Sequence, residues 1–316
     1  MFTAYLPQPE NIKTVLSLKF KDYSLGQRHA PLQLTDQKLS NHTHHINRLK
    51  VMGPVFGEGI FTTDGEAWAH SRALLRPNFA RDQVADLEAF ERHIQALVAV
   101  IPRDGSTVDL QELFFRFTMD SATEFLFGKS VESLSGVVHG DLTEKGFAWA
   151  FSKAQEYMAM RFRLGKLRRF YRPTQVERDA IKICHDFVDR FVEDAVEYRR
   201  THDLEKAADE KYIFLHELAR KTTNKRMLRD ELLNVFLAGR DTTAGLLANL
   251  FFVIAKEPRI WNALRQEIED TLHGELPTYE QLRNLKYLKW CLNECEWFLY
   301  PPKESWLQCI MLTWFQ

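Results

Sequence analysis

DELLNVFLAGRDTTAGLLANLFFVIAKEP, residues 230–258, is the stretch whose reading decides the fold. Apolar residues fill every side of a helical wheel over this run, which places the helix inside the protein and not along its surface. At about 1.5 Å per residue it approaches 40 Å, enough to cross a large domain. Lys256 suits the negative end of the helix dipole, and Pro258 is expected to stop the helix. The middle departs from this pattern: Ala238, Gly239, Arg240, Asp241, Thr242 and Thr243 put two small residues, two charges and two hydroxyls into a run of hydrocarbon. A membrane span is disfavoured, because Arg240 and Asp241 near its centre each cost roughly 2.5–3.5 kcal/mol on insertion. A buried helix with an incidental ion pair is a second reading, although such pairs seldom gain net stability. A ligand-facing helix is the third. Gly239 admits a flat group to the backbone, and a threonine hydroxyl can bond back to the carbonyl one turn earlier and distort the ladder toward a cavity.

Outward from this helix the chain reads as further helices. On the carboxy-terminal side, Arg259 to Leu272 is amphipathic, and Thr278 with Gln281 three residues on is a capping box. On the amino-terminal side come Pro173 to Arg200, then Gly146 to Arg161, then helical periodicity from Asp82 to a stop at FLFG, residues 125–128. Phe114, Phe115, Phe117 and Phe125 read as core. In RFRLGKLRRFYR, residues 161–172, six of twelve residues are basic and aromatics are interleaved, a pattern suited to nucleic acid, to a membrane surface or to a solvated face. Residues 56–79, FGEGIFTTDGEAWAHSRALLRPNF, pass from a glycine-rich turn into a helix with Trp68 and Arg72 four apart, on one face. Residues 30–52 read as an inserted polar loop in which His42, His44 and His45 lack an acidic or cysteine partner for a metal. Pro9 to Gly26 reads as an amphipathic helix. With 316 residues, 45% hydrophobic content and a net charge of −1, the chain can bury a sizeable core and has no global pull toward nucleic acid. Cys184, Cys291, Cys295 and Cys309 form no CxxC pair, and free thiols are expected. No apolar run at the start is long enough for an anchor or signal peptide.

AGRDTT, residues 238–243, resembles the oxygen-binding motif of the cytochrome P-450 family. The G-x-G-I-F, Trp-x-x-x-Arg and R-P-x-F run resembles its helix that holds a haem propionate. The resemblance covers residues 1–29 and 53–296, implying a mainly α, P-450-like helical fold that is incomplete, with most of the β-sheet missing. Residues 297–316 are a divergent tail. YSLGQRHA, GEGIFTTDGEAWAHSRALLRPNFAR and FLAGRDTTAGLL look like fungal P-450s that hydroxylate n-alkanes and fatty acids. The resemblance implies haem as cofactor, with Trp68 and Arg72 on a propionate, Ala238 and Gly239 leaving room beside it, and Asp241 and Thr242 handling dioxygen and protons. It places the basic 161–172 segment in a lid near the bilayer. It implies an NADPH-dependent flavoprotein reductase as electron donor and, for the family, the endoplasmic reticulum membrane.

Two positions depart from the family pattern. Glu294 falls where the family carries a Glu-x-x-Arg pair, yet Trp297 stands three residues on, so a buried carboxylate without its guanidinium is expected. Nothing resembles Phe-x-x-Gly-x-Arg-x-Cys-x-Gly, the loop whose thiolate holds the iron. The expectation is a chain truncated at both ends and inactive as written, or else a helical remnant with at most an interaction role.

Overall fold

The computed structural model of the chain describes residues 48–79, 87–135, 146–201 and 212–299. Every element among them is helical: α1 (Arg48–Phe56), α2 (Gly65–Leu75) with a 3-10 turn after it (Arg76–Phe79), α3 (Leu87–Val100), α4 (Leu110–Phe127), α5 (Phe147–Arg163) with a second 3-10 turn (Gly165–Phe170), α6 (Gln175–Thr201), α7 (Phe214–Lys221), α8 (Lys225–Lys256), α9 (Pro258–Leu272), α10 (Tyr279–Asn284) and α11 (Lys286–Leu299).

The long helix α8 is the axis. Its start lies ahead of the expected one, because Asn224 caps it by accepting from Met227 N at 3.1 Å. Pro258 ends it as expected: Lys256 is the last helical residue, and Glu257, held before a proline, has left the helical region. Glu257 separates the two helices, and Pro258 opens α9 at its first turn, where a missing N–H costs nothing. Every residue from Asp230 to Leu237 is buried. Helices α4 and α6 pack along α8, and α5 packs on α6 and α1. Phe147 and Phe151 of α5 meet Phe236 of α8 at ring separations of 5.2 and 4.6 Å, and Phe127 stacks on Phe191 at 4.9 Å, so the core is aromatic where four helices converge.

The sequence-based expectations need correction at three further points. No break in the helix accompanies Asp241 and Thr242, where a distortion is expected: α8 is continuous α-helix there. The Thr242 hydroxyl does donate to Ala238 O at 2.6 Å, but one carbonyl can accept from both the hydroxyl and the helical N–H without breaking the ladder. The polar loop expected over 30–52 ends sooner: Arg48–Met52 belong to α1, because Val51, Met52, Val55 and Phe56 recur on one face and are buried. The rest of that loop, the Pro9 to Gly26 helix and Cys309 lie outside the described residues. Glu294 is exposed on α11, so the buried, partnerless carboxylate expected there does not arise. Helix α11 itself runs to Leu299, into the segment read as tail. Among the described residues no helix is long and apolar enough to cross a membrane.

Candidate functional site

The GEGIFTT segment between α1 and α2 is strapped to the first half of α8 by three side chains. Glu58 N donates to Asp230 Oδ2 at 2.9 Å, Ile60 N to Glu231 Oε2 at 3.2 Å and Phe61 N to Asn234 Oδ1 at 3.0 Å. Asn234 Nδ2 returns a bond of 2.9 Å to Phe56 O. A buried amide needs such partners, and here a helix's side chains replace a strand's backbone. The glycines follow from this closeness. A Cβ on Gly57, whose φ is +58°, would lie 2.0 Å from Asp230 Cγ, and one on Gly59 would lie 2.4 Å from Asn234 Nδ2. The strap fixes where α2 starts. On α2, the Arg72 guanidinium lies 5.5 Å from the Trp68 ring, as their spacing predicts, and both are half-buried. Ser71 beside them faces Glu231, which links the helix of Trp68 and Arg72 to α8.

Glu231 is fully buried, and its Oε1 has no hydrogen bond of normal geometry. Burial pushes its carboxyl up to about 7, opposed by the Ser71 hydroxyl and Ile60 N–H and aided by the Asp230 charge. The folded state therefore holds this proton more tightly than the unfolded chain, whose carboxyl titrates near 4.5. Its stabilising effect is complete below pH 4.5 and is lost as pH rises to about 7, a change of about 3 kcal/mol. Glu231→Gln should flatten the stability profile across that window and be the more stable chain at pH 8. Urea titrations from pH 4.5 to 8 check it, and parallel profiles for the two chains would count against it.

Beyond Leu237 one side of α8 opens. Ala238 and Thr242 are half-buried, and Gly239 and Thr243 are exposed. On the opposite side Arg240 is buried, with the half-buried Asp241 beside it. Arg240 NH1 donates to Asp241 Oδ1 and to Gln155 Oε1, both at 2.9 Å, and NH2 donates to Ser152 Oγ at 3.2 Å. Gln155 Nε2 completes the ring by donating to Asp241 Oδ2. The Phe115 and Phe151 rings enclose the guanidinium at 4.9 and 5.5 Å. Burial raises the Asp241 carboxyl, while Arg240 and Gln155 pull it down. Of the residues proposed from sequence, Ala238, Gly239 and Thr242 thus share the open face, and Asp241 is turned into a polar ring with α5. Trp68 and Arg72 stand on α2, which reaches α8 through Glu231, seven residues before Ala238 and hence about 10 Å along the axis.

Gln155 and Ser152 were not legible as partners, because a glutamine and a serine beside the buried stripe of α5 read as surface. Asp230, Glu231 and Asn234 did carry a signal: three polar residues at i, i+1 and i+4 in an apolar run share a face and ask for partners. An apolar groove of about 430 Å³ lined by Leu110, Phe251, Ile254, Ala255, Pro258 and Trp261 lies elsewhere, toward the C-terminal end of α8. Ile254 is about 16 Å along the helix from Thr243. Among the described residues no group of three or more His, Cys, Asp or Glu could hold a metal.

Residues 32–295 match the sequence model of the family described as Cytochrome P450, a match that runs through the segment read as an insertion. The chain is 48% identical over 306 residues to Cytochrome P450 monooxygenase fsdH of Fusarium heterosporum, covering 93% of this chain and 50% of that protein. It is 47% identical over 298 residues to Cytochrome P450 monooxygenase himC of Aspergillus japonicus, with 93% and 50% covered. To Cytochrome P450 52A12 of Debaryomyces hansenii it is 43% identical over 300 residues, with 90% and 54% covered. The chain spans about half the length of the curated relatives it matches.

Proposed function

Because the chain belongs to the cytochrome P450 family, we propose that it forms the oxygen-side wall and a propionate anchor of a haem monooxygenase whose substrate is a long-chain alkane or fatty acid. The observation that carries the reading is the open face at Ala238, Gly239, Thr242 and Thr243, directly after the fully buried run from Asp230 to Leu237. A Cβ on Gly239 would meet only Ala122, at 3.9 Å, so nothing among the described residues fills the space beside that backbone. These residues fit one face of a haem.

The described cysteines do not fit its iron. Cys184 is fully buried with its thiol pushed up to about 12, and burial raises Cys291 and Cys295 as well. A ligand must be a thiolate, which these surroundings oppose.

When bound, haem supplies the activation of dioxygen. The chain's own groups supply position and protons. Trp68 and Arg72 would hold a propionate, for which arginine's planar fork is suited. Thr242 gives its hydroxyl proton to Ala238 O, which leaves the oxygen's lone pairs available to a donor on the open side. Asp241, raised by burial, gives up and takes back a proton nearer neutrality than an ordinary aspartate does. We further propose a flavoprotein reductase as electron donor and a membrane-bound setting. The substrate rests on the resemblance of YSLGQRHA and the two longer motifs to alkane and fatty-acid hydroxylases.

We also propose that the chain as written does not hydroxylate by itself. The test has two arms. In the first, the chain is mixed with haem, reduced under carbon monoxide and scanned; no red-shifted Soret band of thiolate-ligated haem is expected. In the second, residues 1–295 are joined to the remaining half of a relative such as Cytochrome P450 52A12; that chimera should give the band and, with reductase, hydroxylated fatty acid. A band from the chain alone would overturn the inactivity. A folded, haem-loaded chimera that hydroxylates nothing would overturn the monooxygenase reading.

A further inference from the structure

Asp241 and Thr242 are neighbours on α8, yet their side chains serve different sides. The hydroxyl lies on the open face, whereas the carboxylate is drawn toward α5. What draws it is one neutral side chain. Gln155 donates from Nε2 to Asp241 Oδ2 and accepts at Oε1 from Arg240 NH1, so its amide closes a ring with the two charges. Arg240, itself held by Ser152 and the Phe115 and Phe151 rings, pairs with one carboxylate oxygen from the same helix. Gln155 is the group from another element that bonds the other oxygen. Ser152, one turn earlier on α5, touches Arg240 but not the carboxylate.

We propose that Gln155 is the positioning residue of Asp241: it holds the carboxyl against α5 and away from the Thr242 face, so that the acid's availability depends on how α5 is seated. This rests on the reading of Asp241 as the proton-handling acid. The attachment of α5 to α8 suits such a role. Its packing is on α6 and α1, with Ala150 and Ala154 fully buried, while it reaches α8 through side chains: the rings of Phe147 and Phe151 on Phe236, and this polar ring. An amide is also the apt choice. It can donate and accept at once, and it takes no proton of its own that would compete with Asp241.

The groups that face Asp241 among the described residues are few. Arg240 is the charge that acts on it, and Gln155 of α5 is its neutral donor. Ser152 and the Phe151 and Phe115 rings surround Arg240 and are neutral. A donor to the ionised form lowers a carboxyl's titration midpoint, so its removal must show.

The experiment is a pH titration by carbon-13 NMR of the chain labelled at aspartate carboxyls, with the Asp241 signal assigned from Asp241→Asn. Gln155→Met keeps the length and bulk of the side chain and should move the Asp241 midpoint up by about one pH unit, a tenfold change in proton affinity. Gln155→Glu keeps an acceptor for Arg240 but removes the donor to Asp241, and it should also move the midpoint up; it serves if the methionine variant fails to fold. Ser152→Ala should leave the midpoint in place, which a general loosening of α5 would not. A midpoint unchanged in the folded Gln155 variants, or one moved equally by Ser152→Ala, overturns the proposal. The titration uses no haem, so a silent chimera in the hydroxylation assay and a failed titration are separate results.

Discussion

Arg240→Ala is expected to lower the unfolding free energy by about 3–5 kcal/mol at pH 8, because it leaves the Asp241 carboxylate buried without its cation. Asp241 is 16% exposed and Arg240 9%, so water replaces little of what is lost. The guanidinium also fills the space between Phe115 and Phe151, and its methylenes leave with it. The loss should depend on pH. Without Arg240 the folded midpoint of Asp241 rises further, so the folded state of the variant prefers the protonated acid. Its deficit is then smallest below the unfolded midpoint, near pH 4, and grows as pH rises through the folded one. Asp241→Asn in the Arg240→Ala background should recover much of the deficit at pH 8. Urea unfolding at pH 5 and pH 8 for the single and double variants measures all of this. A loss below about 1 kcal/mol at pH 8, equal at both pH values, would mean the pair is held by water and not by its surroundings.

Asn234→Ala should cost about 4 kcal/mol, and it tests the strap. Asn234 is fully buried and makes three hydrogen bonds: from Phe61 N, and to Phe56 O and Asp230 O. Alanine removes the Asn234 acceptor of the Phe61 amide and the Asn234 donor to the Phe56 carbonyl, at about 1–3 kcal/mol each, and adds a small void. Asn234→Asp, nearly isosteric, keeps the acceptor for Phe61 N but loses the donor to Phe56 O and adds a charge beside Asp230 and Glu231. It should not rescue. Hydrogen exchange at Ile60 and Phe61 provides the local readout: exchange there should become fast in Asn234→Ala while the Leu228–Phe236 amides of α8 stay protected. Unchanged exchange at Phe61 would sink the account.

How much of this was readable in advance depended on whether a residue's partner lay close in sequence. Helix α8 was readable because apolar residues on every side of a wheel leave burial as the only outcome. The Trp68 and Arg72 pair was readable from its spacing. The end of α8 was readable from Pro258, but its start was not, since Lys225 and Arg226 hide the cap at Asn224. Asp241 was legible as an unusual acid, but its direction was not. That is decided by Gln155, 86 positions away, which the fold brings to it. Glu294 illustrates the reverse error: a motif's expected environment was carried to a residue that the structure leaves in water.

The strap also sets an order of events during synthesis. Glu58 and Asp230 are separated by 172 positions, Ile60 and Glu231 by 171, and Phe61 and Asn234 by 173. Closing a loop of that length in a flexible chain costs about 4.5 kcal/mol in its length-dependent part alone. Until α8 has left the ribosome, the Glu58, Ile60 and Phe61 amides lack the acceptors they use in the fold, however early α1 and α2 emerge. Contacts so distant slow folding and expose apolar surface while they wait. A ribosome paused before Asp230 therefore holds a chain in which Phe56 and Phe151 can meet each other but not Phe236, and it is in that interval, not after release, that such a chain most needs a chaperone.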